Sequence, residues 1–376
     1  MPTTLHDRHN ATPESASSNG GTGRGRSCLS ILIFIFVLTP CAFGAAKLAL
    51  QTSTGFTITP SGANYQSSFG TMNALAIGAT QAGVKSAALS NGAMYFTTFD
   101  VSVSAIGNST GVVKAYVSAN FTGFAASAMV LYGCPSTSAC NSSAQFASLA
   151  TVQGSALTLA TGLTKNLSTA TVGLAIFLPD NDGASAFTGS GSAIVSFDLY
   201  LDGAITTTDT ATLSLNNPSE TVQTAVQLTL AQAASGRPIT AGTDFTLAFG
   251  NVNALGIGPG AGLTPVAQAG GIIYSTPYNL LPIFTGFSST ASTINACVNT
   301  TFAHSTILVL KNSSTGTAGT FANISTTCGA ATSLTSSAGD RSTITKYLGL
   351  FVSNVNGATA FVGLDNASLT YTLTVP

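Results

Sequence analysis

The chain has 376 residues, of which only 6% are charged, with a net charge of −1, no tryptophan and a mean hydropathy of +0.41. A balance so near neutrality leaves no basic stripe to gather phosphates, which excludes nucleic acid as a partner class. Hydrophobic residues make up 45% of the sequence, too many for disorder and enough for two buried cores at this length.

Residues 1–44 read as an N-terminal extension and signal peptide. Arg24 and Arg26 precede the apolar run "CLSILIFIFVLTPCAFGAA", and the small residues of "AFG" place a signal peptidase cut after Gly44. Arg8, Arg24, Arg26, Asp7 and Glu14 would leave with it, so the mature chain keeps eight basic and ten acidic residues. No later stretch offers the ~20 uninterrupted apolar residues of a spanning helix, so no transmembrane span is expected after cleavage.

Residues 46–203 form the first expected unit. Segments such as "YFTTFDVSVSAI", "GVVKAYVSANF" and "SAMVLY" are rich in β-branched and aromatic residues and are separated by Gly, Asn, Ser and Pro clusters, the signature of short strands. In "AIVSFDLYL", Val195, Phe197, Leu199 and Leu201 alternate, so one face of that strand is buried. The loop "PDNDGASAF" carries Asp180 and Asp182 in an order that resembles part of a calcium loop, without the closing glutamate. Its counterpart "SNVNGATAF" has no carboxylate, so a tight turn accounts for both stretches and Asp180 and Asp182 remain only a weak calcium candidate.

Residues 204–225 read as a joint, in which "TATLSL" alternates like a strand and "NNPSE" turns. Residues 226–376 then repeat the first unit. "FGTMNALAIG" (69–78) returns as "FGNVNALGIG" (249–258), and "LALQTSTGFTITPSG" (48–62) aligns without a gap to "LTLAQAASGRPITAG" (228–242). Further on, Gly92 and Tyr95 match Gly271 and Tyr274, and "AIVSFDLYL" matches "ASLTYTLTV" (367–375), pairing Phe197 with Tyr371. Phe69 and Phe249 are expected to plug the core at a strand end, with the following glycine allowing a tight turn.

Four cysteines follow the signal: Cys134, Cys140, Cys297 and Cys328. In an exported chain they imply two disulfides in one of three connectivities, and proximity favours Cys134 with Cys140 and Cys297 with Cys328. A metal site is the weaker reading, because His304 is the one histidine after the signal and no C-x-x-C pair exists. His304 has no visible polarising partner and reads as a strand-end or surface residue; no G-x-S-x-G stands between a strand and a helix. No catalytic residue, metal or cofactor is expected. Asn108, Asn120, Asn141, Asn166, Asn299, Asn312, Asn323 and Asn366 head glycosylation sequons.

The expected fold is therefore all-β: two tandem immunoglobulin-like β-sandwiches from an internal duplication, 46–203 and 226–376, after a signal peptide. The strand ending in Phe69-Gly70 or Phe249-Gly250 followed by Asn-x-Leu, the Gly-led aromatic strand and the closing alternating strand are similar to the spore coat U family. That resemblance implies secreted immunoglobulin-like domains related to archaic chaperone–usher pilus subunits, and the tandem arrangement resembles two-domain tip adhesins. The expected function is a secreted, non-enzymatic structural or adhesive cell-surface protein, pilus-tip-like, with surface proteins, pilus proteins or glycans as partners. The alternative is a pair of extracellular carbohydrate-binding modules, although the absence of Trp removes the best platform for a sugar ring. Because "KLALQTS" is matched by "QLTLAQA", the first unit is expected to be self-complete, while the second is left able to accept a donor strand.

Overall fold

A computed structural model describes residues 46–376 apart from 54, 79, 124–128, 166–168, 216–219 and 356–359. The expected signal peptide, with Cys28 and Cys41, and the Asn166 sequon lie outside the described residues. The first half supplies β1 (Lys47–Gln51), β2 (Thr59–Ser61), β3 (Asn64–Gln66), β4 (Thr71–Met72), β5 (Lys85–Leu89), β6 (Gly92–Ser104) and β7 (Gly111–Thr122). It continues with β8 (Val130–Cys134), β9 (Ala147–Ser148), β10 (Leu157–Leu163), β11 (Thr169–Pro179), β12 (Gly189–Leu201), β13 (Ala204–Ser214) and β14 (Glu220–Val222). The second half supplies β15 (Ala225–Gln232), β16 (Ile239–Thr240), β17 (Thr246–Leu247), β18 (Thr264–Gln268), β19 (Gly271–Thr285) and β20 (Ala291–Thr300). It ends with β21 (Leu308–Ser313), β22 (Ala322–Asn323), β23 (Thr332–Gly339), β24 (Ile344–Ser353) and β25 (Ser368–Thr374). The described chain is thus all-β, with only short 3-10 turns between strands.

Five sheets result. One runs β1-β6-β11-β8-β9 with β5 on β6, and another runs β15-β19-β24-β21-β22 with β18 on β19, the same order in each half. The opposing sheet of the first half runs β10-β7-β12-β13-β3-β2, whereas the described residues of the second half form β23-β20-β25 and a separate β16-β17 hairpin. Alternation drives the layering: Phe99, Val101 and Val103 of β6 and Val195, Phe197 and Leu199 of β12 are buried, and the rings of Phe99 and Phe197 meet edge to face at 5.7 Å. Each such side chain contributes about 1.5–3 kcal/mol when taken out of water.

The stretch 204–225, expected as a joint, is strand over most of its described length. β13 pairs antiparallel with β12 and parallel with β3, and β14 pairs with both β12 and β4. Ala211, Leu213, Leu215 and Val222 are consequently buried in the first core. The alternation in "TATLSL" carries this outcome, because its apolar face finds an open edge on β12. What the sequence left unstated was which edge would receive it.

The repeated phrase has a specific hydrogen-bonded form. Asn73 Oδ1 accepts the amides of Leu75 and Ile77 and its Nδ2 donates to Ile77 O at 2.6 Å, while Tyr95 Oη accepts the Asn73 amide and donates to the Asn73 carbonyl, both at 3.0 Å. Asn253 and Tyr274 make the same set, with Leu255 and Ile257. Gly70 and Gly250 hold φ of 75° and 71°, a left-handed turn in which a β-carbon is strained. Gly92 and Gly271 matter differently: a β-carbon would come 2.0 Å from Leu178 O in one and 2.1 Å from Val352 O in the other.

Candidate functional site

The second half carries a groove where the first half carries a strand. In the first half β13 lies between β12 and β3, with Leu213 opposite Val195 on one side and Tyr65 on the other. By the sequence alignment β25 stands for β12, and the hairpin β16–β17 stands for β2–β3. No described strand lies between β25 and β17. The space is a cavity of about 1530 Å³, walled by Thr246–Phe249 on one side and Ser368–Tyr371 on the other, with Leu228, Leu230, Tyr278, Leu308, Leu310 and Leu350 along it.

Burial records what the missing cover does. Phe69, Val195, Phe197 and Met72 are fully buried, whereas Phe249, Leu369, Tyr371 and Val252 are half-buried. Leu75 is 9% exposed, and its sequence counterpart Leu255 is 75% exposed. Phe249 and Tyr371, expected as core plugs equal to Phe69 and Phe197, pack against the second core, with the Tyr371 ring 6.1 Å from that of Tyr278, and also line the open trough. A trough lined by both apolar and polar side chains, bounded by two strand edges that no described strand pairs, is suited to an extended polypeptide.

At the closed end of the first half's strand, Glu220 is fully buried. Its Oε2 accepts the Phe69 amide at 2.7 Å and the Ser68 hydroxyl at 3.2 Å, and Ser68 Oγ in turn accepts the Gly70 amide. Burial pushes this carboxyl up to about 8, against the pull of those hydrogen bonds. Oε1 has no partner among the described residues, which fits a protonated acid. Sequence reading missed Glu220; the available signal was one acidic residue in a chain where charge is scarce.

His304 sits near the groove's rim. Its Nδ1 is 2.9 Å from Asp365 Oδ2 and its ring stacks on Phe361 with centroids 3.7 Å apart. The Asp365 carboxyl also accepts the amides of Ala303, His304 and Asn366. Burial raises its proton affinity, but these bonds outweigh that and hold it at about 2. The pair fixes the turn after β20 against the stretch leading into β25, a tie 61 residues long in sequence and so invisible to local spacing.

Asp180 and Asp182 lie elsewhere, where the two halves meet inside one compact unit. The Arg341 guanidinium pairs with Asp180 and lies 3.5 Å from Asp340, while Asp182 Oδ1 accepts the Phe287 amide at 3.2 Å. Burial first, then the neighbouring Asp340 and Asp180, raise Asp182 to about 6 despite that amide bond. Backbone bonds from Gly183 to Phe287 and from Gly286 to Asn181 complete the contact. Among the described residues no cluster of three or more His, Cys, Asp or Glu is placed to hold a metal. Disulfides join Cys134 to Cys140 and Cys297 to Cys328. No described helix is long and apolar enough to cross a membrane.

No family profile matches the chain, and no curated protein matches it. Among solved structures it is similar to the one described as the chaperone–tip adhesin complex vital for synergistic activation of CFA/I fimbriae biogenesis, at 12% identity over 88% of this chain and 91% of that one, TM-score 0.19. It is also similar to the CupB6 tip adhesin from Pseudomonas aeruginosa, at 10% identity over 86% and 94%, TM-score 0.28. Likenesses this distant carry no functional weight.

Proposed function

We propose that this is an exported, non-enzymatic cell-surface protein of structural or adhesive type, built from two immunoglobulin-like sandwiches that arose by duplication. The first unit spans 46–203 and is closed by the strands of 204–222; the second spans 226–376 and takes its closing strand from a polypeptide segment outside those residues. The observation that carries this reading is the place between β25 and β17: β13 fills its counterpart in the first half, and no described strand fills it in the second. Strand addition at such an edge takes its affinity from main-chain hydrogen bonds and its selectivity from alternate side chains entering the trough. The strand-rich, nearly uncharged sequence and its signal-like N-terminus support export and assembly at a surface.

The test compares amide exchange of Ser368–Thr374 in the purified chain with the same chain recovered from the cell surface. The reading expects the groove-facing amides to be unprotected in isolation and protected in the assembled form. Equal protection in both, or retention of the protein inside the cell, would overturn it.

A further inference from the structure

The open trough differs from the filled one by a pair of hydroxyls. In the first half the inward rings of β6 and β12 are Phe99 and Phe197, both fully buried, and they meet edge to face at 5.7 Å. Counted from the matched Tyr95 and Tyr274, the counterpart of Phe99 is Tyr278, and the counterpart of Phe197 is Tyr371. These two rings also meet edge to face, with centroids 6.1 Å apart and planes at 66°. The ring arrangement is kept and each ring gains an oxygen.

Tyr278 is 2% exposed, and its hydroxyl is buried with no hydrogen-bond partner among the described residues. Burial, and after it the neighbouring Tyr371 hydroxyl, push the Tyr278 phenol well above its ordinary value, yet no hydrogen bond of normal distance and angle joins the two. Burial also pushes Tyr371 up, to about 12, so both phenols keep their protons and each offers a donor and an acceptor. A buried hydroxyl left unmatched is costly, and two phenylalanines close the first core without that cost. Tyr371 is half-buried and lines the trough together with Tyr278, so a strand entering there passes beside the pair. In the first half the residue directly opposite Phe197 is Ala211, whose methyl group offers a hydroxyl nothing.

Resting on the strand-acceptor reading above, we propose that the trough selects an extended segment carrying a serine or threonine directly opposite Tyr371, at the place that β13 gives to Ala211. The side-chain hydroxyl of that residue bonds the Tyr371 hydroxyl, and Tyr371, fixed by this bond, satisfies Tyr278 behind it. Cross-strand neighbours on one face stand about 5 Å apart at their β-carbons, within reach of an aromatic side chain. Main-chain bonds along β25 hold any strand that fits, and the tyrosine pair ranks the strands. Alanine at this place puts the chain's own closing strand below a hydroxyl-bearing one. The phenylalanine pair of the first half ranks them the other way, because a hydroxyl beside Phe99 and Phe197 would be buried unmatched. Each half is thereby matched to its own strand.

The probes are two fluorescent peptides, residues 204–215 of this chain and the same peptide with Ala211→Ser, each titrated into the purified chain. Both are expected to bind and to slow amide exchange at Ser368–Thr374, which places them on β25. The serine peptide should bind about fivefold more tightly. In the chain carrying Tyr278→Phe and Tyr371→Phe, which copies the ring pair of the first half, the order should reverse, a change that a merely structural role of the two tyrosines would not produce. Should the double variant fail to unfold cooperatively, Tyr371→Phe alone carries the test, with the advantage of the serine peptide lost. Equal affinity of the two peptides for the unaltered chain, or a serine advantage that survives removal of the hydroxyls, overturns the selection and leaves the strand-acceptor reading standing. Binding of neither peptide overturns both.

Discussion

Phe69 and Phe249 hold the same place in the same ten-residue phrase, 180 positions apart, yet Phe69 is fully buried with its amide on Glu220 and Phe249 is half-buried with its amide unmatched among the described residues. The difference traces to strands β13 and β14, which cover the first and have no described counterpart over the second. Four expected outcomes follow from this geometry.

Tyr274→Phe should destabilise the second half by about 1–3 kcal/mol, because one hydroxyl both accepts the Asn253 amide and donates to the Asn253 carbonyl. Tyr95→Phe should do the same to the first half, where Asn73 is held alike. Thermal unfolding monitored separately in each half checks this, and a loss confined below about 0.5 kcal/mol in both would contradict it.

The first half should lose stability as the pH rises. Glu220 has its folded value at about 8 against an ordinary 4.5, so the folded chain keeps a proton that the unfolded chain releases over that interval. The stability linked to it is fully present below about pH 4.5 and is lost as the pH rises through about 8, with a limiting slope of about 1.4 kcal/mol per pH unit. Glu220→Gln keeps an acceptor for the Phe69 amide and removes the titration. Urea unfolding at pH 5 and pH 8 should show a steep fall of stability in the parent and a shallower one in the variant, whose remaining fall belongs to Asp182, raised to about 6.

Reduction should weaken the two halves unequally. Cys297–Cys328 closes a loop with a separation of 31 residues and Cys134–Cys140 one of six. Chain entropy assigns about 4 kcal/mol to the longer and about 2 kcal/mol to the shorter. Replacing Cys297 and Cys328 by serine should lower the unfolding temperature of the second half more than the matching change at Cys134 and Cys140 lowers that of the first.

Much of the fold is legible in the sequence for physical reasons. Period-two alternation marks β12 and β25 because one face of each meets a core, and the repeated phrase is written twice because its Asn73–Tyr95 and Asn253–Tyr274 clamps demand the same residues. Gly92 and Gly271 are fixed by the carbonyl that each faces. The groove is not legible in the same way. Leu369 and Tyr371 alternate as Val195 and Phe197 do, and alternation reports which face seeks cover without reporting whether cover arrives. The segment 204–225 reads as a joint since no local signal tells a strand which distant edge it will join, and Asp365 lies too far along the chain from His304 to be read as its partner.

The central claim is that the trough beside β25 is a strand's place, and the most direct measurement supplies that strand. Residues 204–222 of this chain are fused after Val375 through an Asp-Gly turn that takes the place of Pro376, copying the hairpin in which Asp202 and Gly203 take φ of 49° and 86° between the paired Leu201 and Ala204. Amide exchange is then followed at Ser368–Thr374. The account predicts that these amides become protected to the level of Gly189–Leu201, that Phe249 and Tyr371 lose their exposure, and that the second half unfolds at a higher temperature. Unchanged exchange along β25, with the fused segment itself unprotected, would contradict it.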